Sequence, residues 1–92
     1  MVNAPTRSWK NISGATPIFK LAAGLYELTV HAKTWDGGSV TLQRLAADGS
    51  AMALKSLSVD GSTNAYIPSG SYQLTITGAI DVSADLELKD TF

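Results

Sequence analysis

His31 is the one imidazole in this chain of 92 residues, which has no cysteine. Nucleophilic catalysis needs a hydroxyl or thiol beside a base, and glycosidic hydrolysis needs two carboxylates facing one another in a cleft. His31 falls among Glu27, Thr29 and Lys33 on the polar side of an alternating segment, which predicts an exposed imidazole outside any catalytic site. Glu27 and Glu87 could meet across neighbouring strands, but both sit in regular alternation and are predicted to be solvated. With no cysteine and one histidine, disulfide frameworks, thiol nucleophiles, iron–sulfur clusters and Cys/His zinc sites are excluded. Asp36-Gly37-Gly38, Asp48-Gly49-Ser50 and Asp60-Gly61-Ser62 each offer one carboxylate. Calcium takes about six to eight oxygen ligands, so these read as turns, not ion loops. The expectation is a protein without catalysis, metal or cofactor.

Binding remains. Trp9 and Trp35 fall between the alternating segments, and tryptophan costs little side-chain entropy to order at an interface. The two indoles could contact a partner, plug the open ends of a sandwich, or stack on sugar rings. Charge is uneven. Residues 1–44 hold Arg7, Lys10, Lys20, Lys33 and Arg44 against Glu27 and Asp36, while residues 45–92 hold Lys55 and Lys89 against six acids. A basic segment around Arg7, Trp9 and Lys10 would be steered toward an acidic surface.

The elements that must position these residues are strands. Tyr26, Leu28, Val30 and Ala32 alternate with Glu27, Thr29, His31 and Lys33; Tyr72, Leu74 and Ile76 do the same, as do Val82, Ala84, Leu86 and Leu88. Period two puts each apolar set on one face of a half-buried strand. Ile18 to Ala22 and Ala65 to Ile67 read as short strands, the latter stopped by Pro68. Two middle segments break phase: Val40 and Leu42 against Leu45, and Met52 and Leu54 against Leu57 and Val59. Either a β-bulge in each restores burial, or Leu45 and Leu57 stay outward and another chain covers them. The Asp-Gly turns read as hairpin punctuation. Residues 1–15, broken by Asn3, Pro5, Ser8, Asn11, Ser13 and Gly14, read as an extended N-terminal arm ahead of a sandwich domain at 16–92. The predicted fold is all-β: a single antiparallel β-sandwich or compact jelly roll of about seven to eight strands.

Composition agrees: 45% hydrophobic and 16% charged residues suit one globular domain, and a net charge of −1 lacks the basic excess that holds nucleic acid or anionic membrane. The first residues carry no apolar stretch of a secretory signal, so folding in a cytoplasm is expected.

Gly24-Leu25-Tyr26-Glu27-Leu28-Thr29-Val30, Gly38-Ser39-Val40-Thr41-Leu42-Gln43 and Ile67-Pro68-Ser69-Gly70-Ser71-Tyr72-Gln73-Leu74 together resemble the small β-sandwich decoration, or cement, proteins of tailed-bacteriophage virions, over residues 16–88. The resemblance implies a non-enzymatic virion protein, assembled in the bacterial host cytoplasm. It would bind the major capsid protein or another virion protein as a homo-oligomer, a trimer by preference, and reinforce contacts between shell subunits. The contact residues expected from the physics are Arg7, Trp9, Lys10, Trp35, Leu45 and Leu57. The alternative is a carbohydrate-binding or other adhesion module of a phage tail or host protein.

Overall fold

The computed structural model describes residues 6–12 and 14–91. Eight strands follow in order: β1 (Thr6–Ile12), β2 (Phe19–Leu21), β3 (Gly24–Thr34), β4 (Ser39–Leu45), β5 (Ala51–Leu57), β6 (Gly61–Ile67), β7 (Gly70–Thr77) and β8 (Ile80–Thr91). They form two antiparallel four-stranded sheets, β1-β8-β3-β6 and β2-β7-β4-β5. Among the described strands only β4 and β5 are neighbours both in the chain and in a sheet; every other connection passes between sheets. That is the strand order of an eight-stranded jelly roll.

The alternating segments supply the core as predicted. Tyr26, Leu28, Val30 and Ala32 of β3, Tyr72, Leu74 and Ile76 of β7, and Val82, Ala84, Leu86 and Leu88 of β8 are all buried, and Val40 and Leu42 of β4 join them. The two buried tyrosines repeat one device on opposite sheets. The Tyr26 hydroxyl donates to the Ala22 carbonyl at 2.8 Å, and the Tyr72 hydroxyl donates to the Pro68 carbonyl, in each case four residues upstream, where the strand begins. Each polar tip is thereby satisfied while the ring fills the core. Burial pushes both phenols above their ordinary value, with Arg7 opposing it at Tyr26 and Arg44 opposing it at Tyr72.

The expected arm is corrected over its described part: Thr6–Ile12 is strand β1, paired with β8. Trp9 lies opposite Ala84 and Ile12 opposite Val82, so three residues of β1 span two of β8. The extra residue is taken up at Lys10 and Asn11, with Asn11 at φ 51°. Asparagine tolerates that left-handed conformation, and the bulge turns both Trp9 and Ile12 inward. A sequence spacing of three hid the strand. Residues 1–5, including Asn3 and Pro5, and Ser13 lie outside the described residues.

The out-of-phase middle strands resolve in two different ways. In β5 the register passes from Lys55 opposite Leu42 to Ala53 opposite Gln43, leaving Leu54 as the extra residue of a bulge. Leu54 and Leu57 then both pack on the core. Strand β4 runs in unbroken register along β7, so Leu45 shares the outer face with Thr41 and Gln43.

The Asp-Gly turns are not all hairpin punctuation. Asp48-Gly49-Ser50 closes the β4–β5 hairpin, with the Asp48 carboxylate accepting from the Ser50 backbone at 2.9 Å and its hydroxyl at 2.7 Å; these bonds hold that carboxyl below its ordinary range. Asp36-Gly37 instead carries the chain from one sheet to the other. Both residues have positive φ, 46° and 74°, and Gly38 N donates to Trp35 O at 2.6 Å, the pattern of a type I′ turn. Directly beyond it Gly38 packs on the β7–β8 crossover. A Cβ there would fall 2.1 Å from the Thr77 carbonyl oxygen and 2.5 Å from Ala79 N. The third turn, at Asp60, enters β6 from the opposite sheet.

Candidate interaction surface

The six expected contact residues do not converge on one patch. Trp9 is half-buried, packs on the core, and tilts against Phe19 of β2 with ring centroids 5.0 Å apart. Arg7 is exposed, and its Nη2 donates to the Lys20 carbonyl at 3.1 Å. Together they close the side of the sandwich where β1 and β2 are the edges. Lys10 is exposed in the bulge. Although β1 runs along the acidic β8, Arg7 stands opposite Leu86 on the core-side face, while Asp85 and Glu87 stand opposite Ser8 and Thr6 on the other face.

Trp35 also packs on the core, and its indole Nε1 donates to Asp60 Oδ1 at 2.8 Å. The same carboxylate accepts from Ala32 N at 3.0 Å, and its Oδ2 lies 3.0 Å from His31 Nδ1. Asp60 therefore fastens the β5–β6 crossover to the end of β3. This node was missed in the sequence, where Asp60 is one of three similar turn residues and its partners lie 25 to 29 positions away. The Ala32 amide foremost, then the Trp35 indole, hold the Asp60 carboxyl below its ordinary value of 3.8. A lowered carboxyl stabilises the fold above its unfolded pKa, and that contribution is lost as pH falls through the folded value. Asp60→Asn is therefore expected to melt below wild type at neutral pH, with the two melting temperatures converging once the pH is taken well below 3.8. Thermal scans across that window check it; a constant difference at all pH values would contradict it.

The His31–Asp60 pair is solvent-facing, with side chains 71% and 52% exposed. Glu27 and Glu87 do face one another in register, but Lys89 sits between them, 3.3 Å from Glu27 and 2.5 Å from Glu87. A register shift in β8 makes Lys89 the extra residue between Leu88 and Asp90, which frees it to reach both acids. Glu87 first, then Glu27, raise the Lys89 pKa. Among the described residues, no three His, Asp or Glu side chains gather where they could hold a metal ion.

Two hollows lie around the β4–β5 hairpin. A hollow of about 330 Å³ is lined by Arg44, Leu45, Ala46, Ala47, Ser50, Ala51 and Met52. A second, of about 300 Å³, shares Leu45 to Ala47 and is bounded by Ile18 and Ser71. Met52 and Ile18 are 68% and 60% exposed. Leu45 thus stands at a weakly polar corner, whereas Leu57 is turned inward. The outer face of this sheet continues the theme. Ser39, Thr41 and Gln43 of β4, Ala51, Ala53 and Ser56 of β5, and Ser71, Gln73, Thr75 and Thr77 of β7 carry no charge, and Lys20 lies at its margin. The opposite sheet's outer face bears Glu27, Asp85, Glu87 and Lys89.

Fold and surface define the chain as an eight-stranded jelly-roll sandwich with one charged and one neutral face. No protein-family model matches it, and no curated protein does. Among solved structures it is similar to the SPBc2 prophage-derived protein YomS, with a TM-score of 0.69, 7% sequence identity, and 96% of each chain covered. That likeness is one of fold.

Proposed function

We propose that this chain is a non-enzymatic structural protein of a bacteriophage virion, which binds the capsid surface as a homo-oligomer and reinforces contacts between shell subunits. The observation that carries the reading is the fold match to a prophage-derived protein along nearly the whole of both chains. The jelly roll is also an architecture of viral capsid domains. The neutral face of the β2-β7-β4-β5 sheet supports it as well, since interface cores are depleted in charge relative to the rest of a surface. In this reading the contact moves from the N-terminal segment to that face and to the corner formed by Leu45, Met52 and Ile18. A shell repeats its sites, so modest contacts held by an oligomer suffice for stable attachment.

Sedimentation with intact phage particles tests the proposal. The protein is expected in the particle fraction at a fixed copy number, and Met52→Glu is expected to leave it in the supernatant with its circular dichroism unchanged. A chain absent from particles and retarded on a polysaccharide column would favour an adhesion module instead.

A further inference from the structure

Among the described residues, all six strand pairings join a strand of β1–β4 to a strand of β5–β8. Neither half contains a strand pair of its own, so each takes its ladder partners from the other. Exchanging the halves turns the order β1-β8-β3-β6 into β5-β4-β7-β2, which is the second sheet read from its far edge. The strand order therefore has a two-fold axis running between the sheets.

The residues carry the same axis. Gly24-Leu25-Tyr26-Glu27-Leu28-Thr29-Val30 opens β3, and Gly70-Ser71-Tyr72-Gln73-Leu74-Thr75-Ile76 opens β7 46 positions later, with glycine, tyrosine, leucine and threonine at matching places. Both tyrosine hydroxyls donate to the carbonyl four residues upstream. Cross-strand partners match as well. Leu28 stands opposite Leu86 as Leu74 stands opposite Leu42, and Val30 opposite Ala84 as Ile76 opposite Val40. All eight are buried. A close-packed interior feels a change of one methylene, whereas the two outer faces, one charged and one neutral, were free to differ.

We infer that this chain is two copies of one four-strand unit, each the binding partner of the other, which fold by interdigitating and are linked through the β4–β5 turn. A unit without a strand pair, holding half of the core, cannot offset the conformational entropy of ordering itself. Each unit therefore gains its structure on meeting its counterpart, and the turn serves to hold the two at high effective concentration. The inference is independent of whether the protein binds a capsid.

A protease site inserted in the exposed turn between Ala47 and Asp48 tests the partnership. After cutting, the two pieces are expected to elute together at the mass of the uncut chain with unchanged circular dichroism. Dilution by about tenfold is expected to lower the melting temperature of the cut protein more than that of the uncut. Pieces that separate without denaturant, or one piece that keeps a β-rich spectrum alone, overturn the inference. Exchange of one core layer tests the equivalence. Val30→Ile with Ala84→Val overfills one sheet's side, Ile76→Val with Val40→Ala empties the other, and each pair is expected to lower the melting temperature by at least about 4 °C. Making all four substitutions turns the layer about the axis and is expected to recover most of that loss. A four-substitution chain no more stable than the sum of the two pairs overturns the inference, and this comparison decides alone where the insertion disturbs the fold.

Discussion

Gly38→Ala is expected to lower the melting temperature by roughly 12–24 °C, the shift that about 3 kcal/mol of destabilisation produces in a domain of this size. The added methyl has nowhere to go. It would meet the Thr77 carbonyl oxygen, Ala79 N and the Gly78 carbonyl carbon at 2.1, 2.5 and 2.7 Å, and all three are backbone atoms that no rotamer change can move. Relief requires separating the β3–β4 turn from the β7–β8 crossover, which pack together where the two sheets are joined. The neighbouring Gly37 provides the control. It sits at φ 74° with nothing within 4 Å of its missing Cβ. Gly37→Ala therefore meets only the left-handed backbone penalty, about 1–2 kcal/mol. Parallel thermal melts separate the two mechanisms, and equal losses would refute the close-packing account.

Removal of residues 2–12 is expected to abolish cooperative folding. A dispensable arm would leave the β-rich circular dichroism intact; an edge strand would not. Ile12 is buried and Trp9 half-buried against the core, and truncating such residues costs about 2–4 kcal/mol each. Their sum approaches the total stability of a typical domain, about 5–15 kcal/mol. The cut also uncovers one whole edge of β8, a long strand with Val82, Ala84 and Leu86 on its core side, and so invites aggregation. Urea unfolding of Trp9→Ala gives the graded form of the test, with an expected loss of about 2 kcal/mol. Arg7→Ala and Lys10→Ala, exposed on the same strand, are expected to change stability by less than about 0.5 kcal/mol. A truncated chain that still unfolds in one sharp transition would return β1 to the status of an arm.

β1 also shows what the sequence could not display. β3, β7 and β8 are legible because their apolar residues alternate over long stretches and each buries one face. Trp9 and Ile12 face the same core but are three residues apart, and only the bulge at Asn11 reconciles them with a two-residue period. The β4 and β5 segments carried the same phase break, yet one strand bulges and the other leaves Leu45 outside. That choice is made by β7, which holds β4 in straight register, and not by either segment's own residues. Turn chemistry was legible, while the destination of each turn was not. Asp-Gly sets local dihedrals equally well for a hairpin and for a passage between sheets. Asp60 illustrates the limit for a candidate site, since its three hydrogen bonds come from residues brought near by the crossover alone.

The strand order has a consequence for how the molecule is made. Among the described strands β1 pairs with β8 alone, the last of the eight, and β8 lies between β1 and β3. On the ribosome, β1 emerges ahead of the other seven described strands and stays unpaired until residues 80–91 have left the exit tunnel. The first sheet therefore closes only after all eight described strands have emerged. Contacts so distant in sequence slow the search for the native state, which for such β topologies takes about milliseconds to seconds. In that interval Trp9 and Ile12 are exposed, and the sheet that buries them waits for β8.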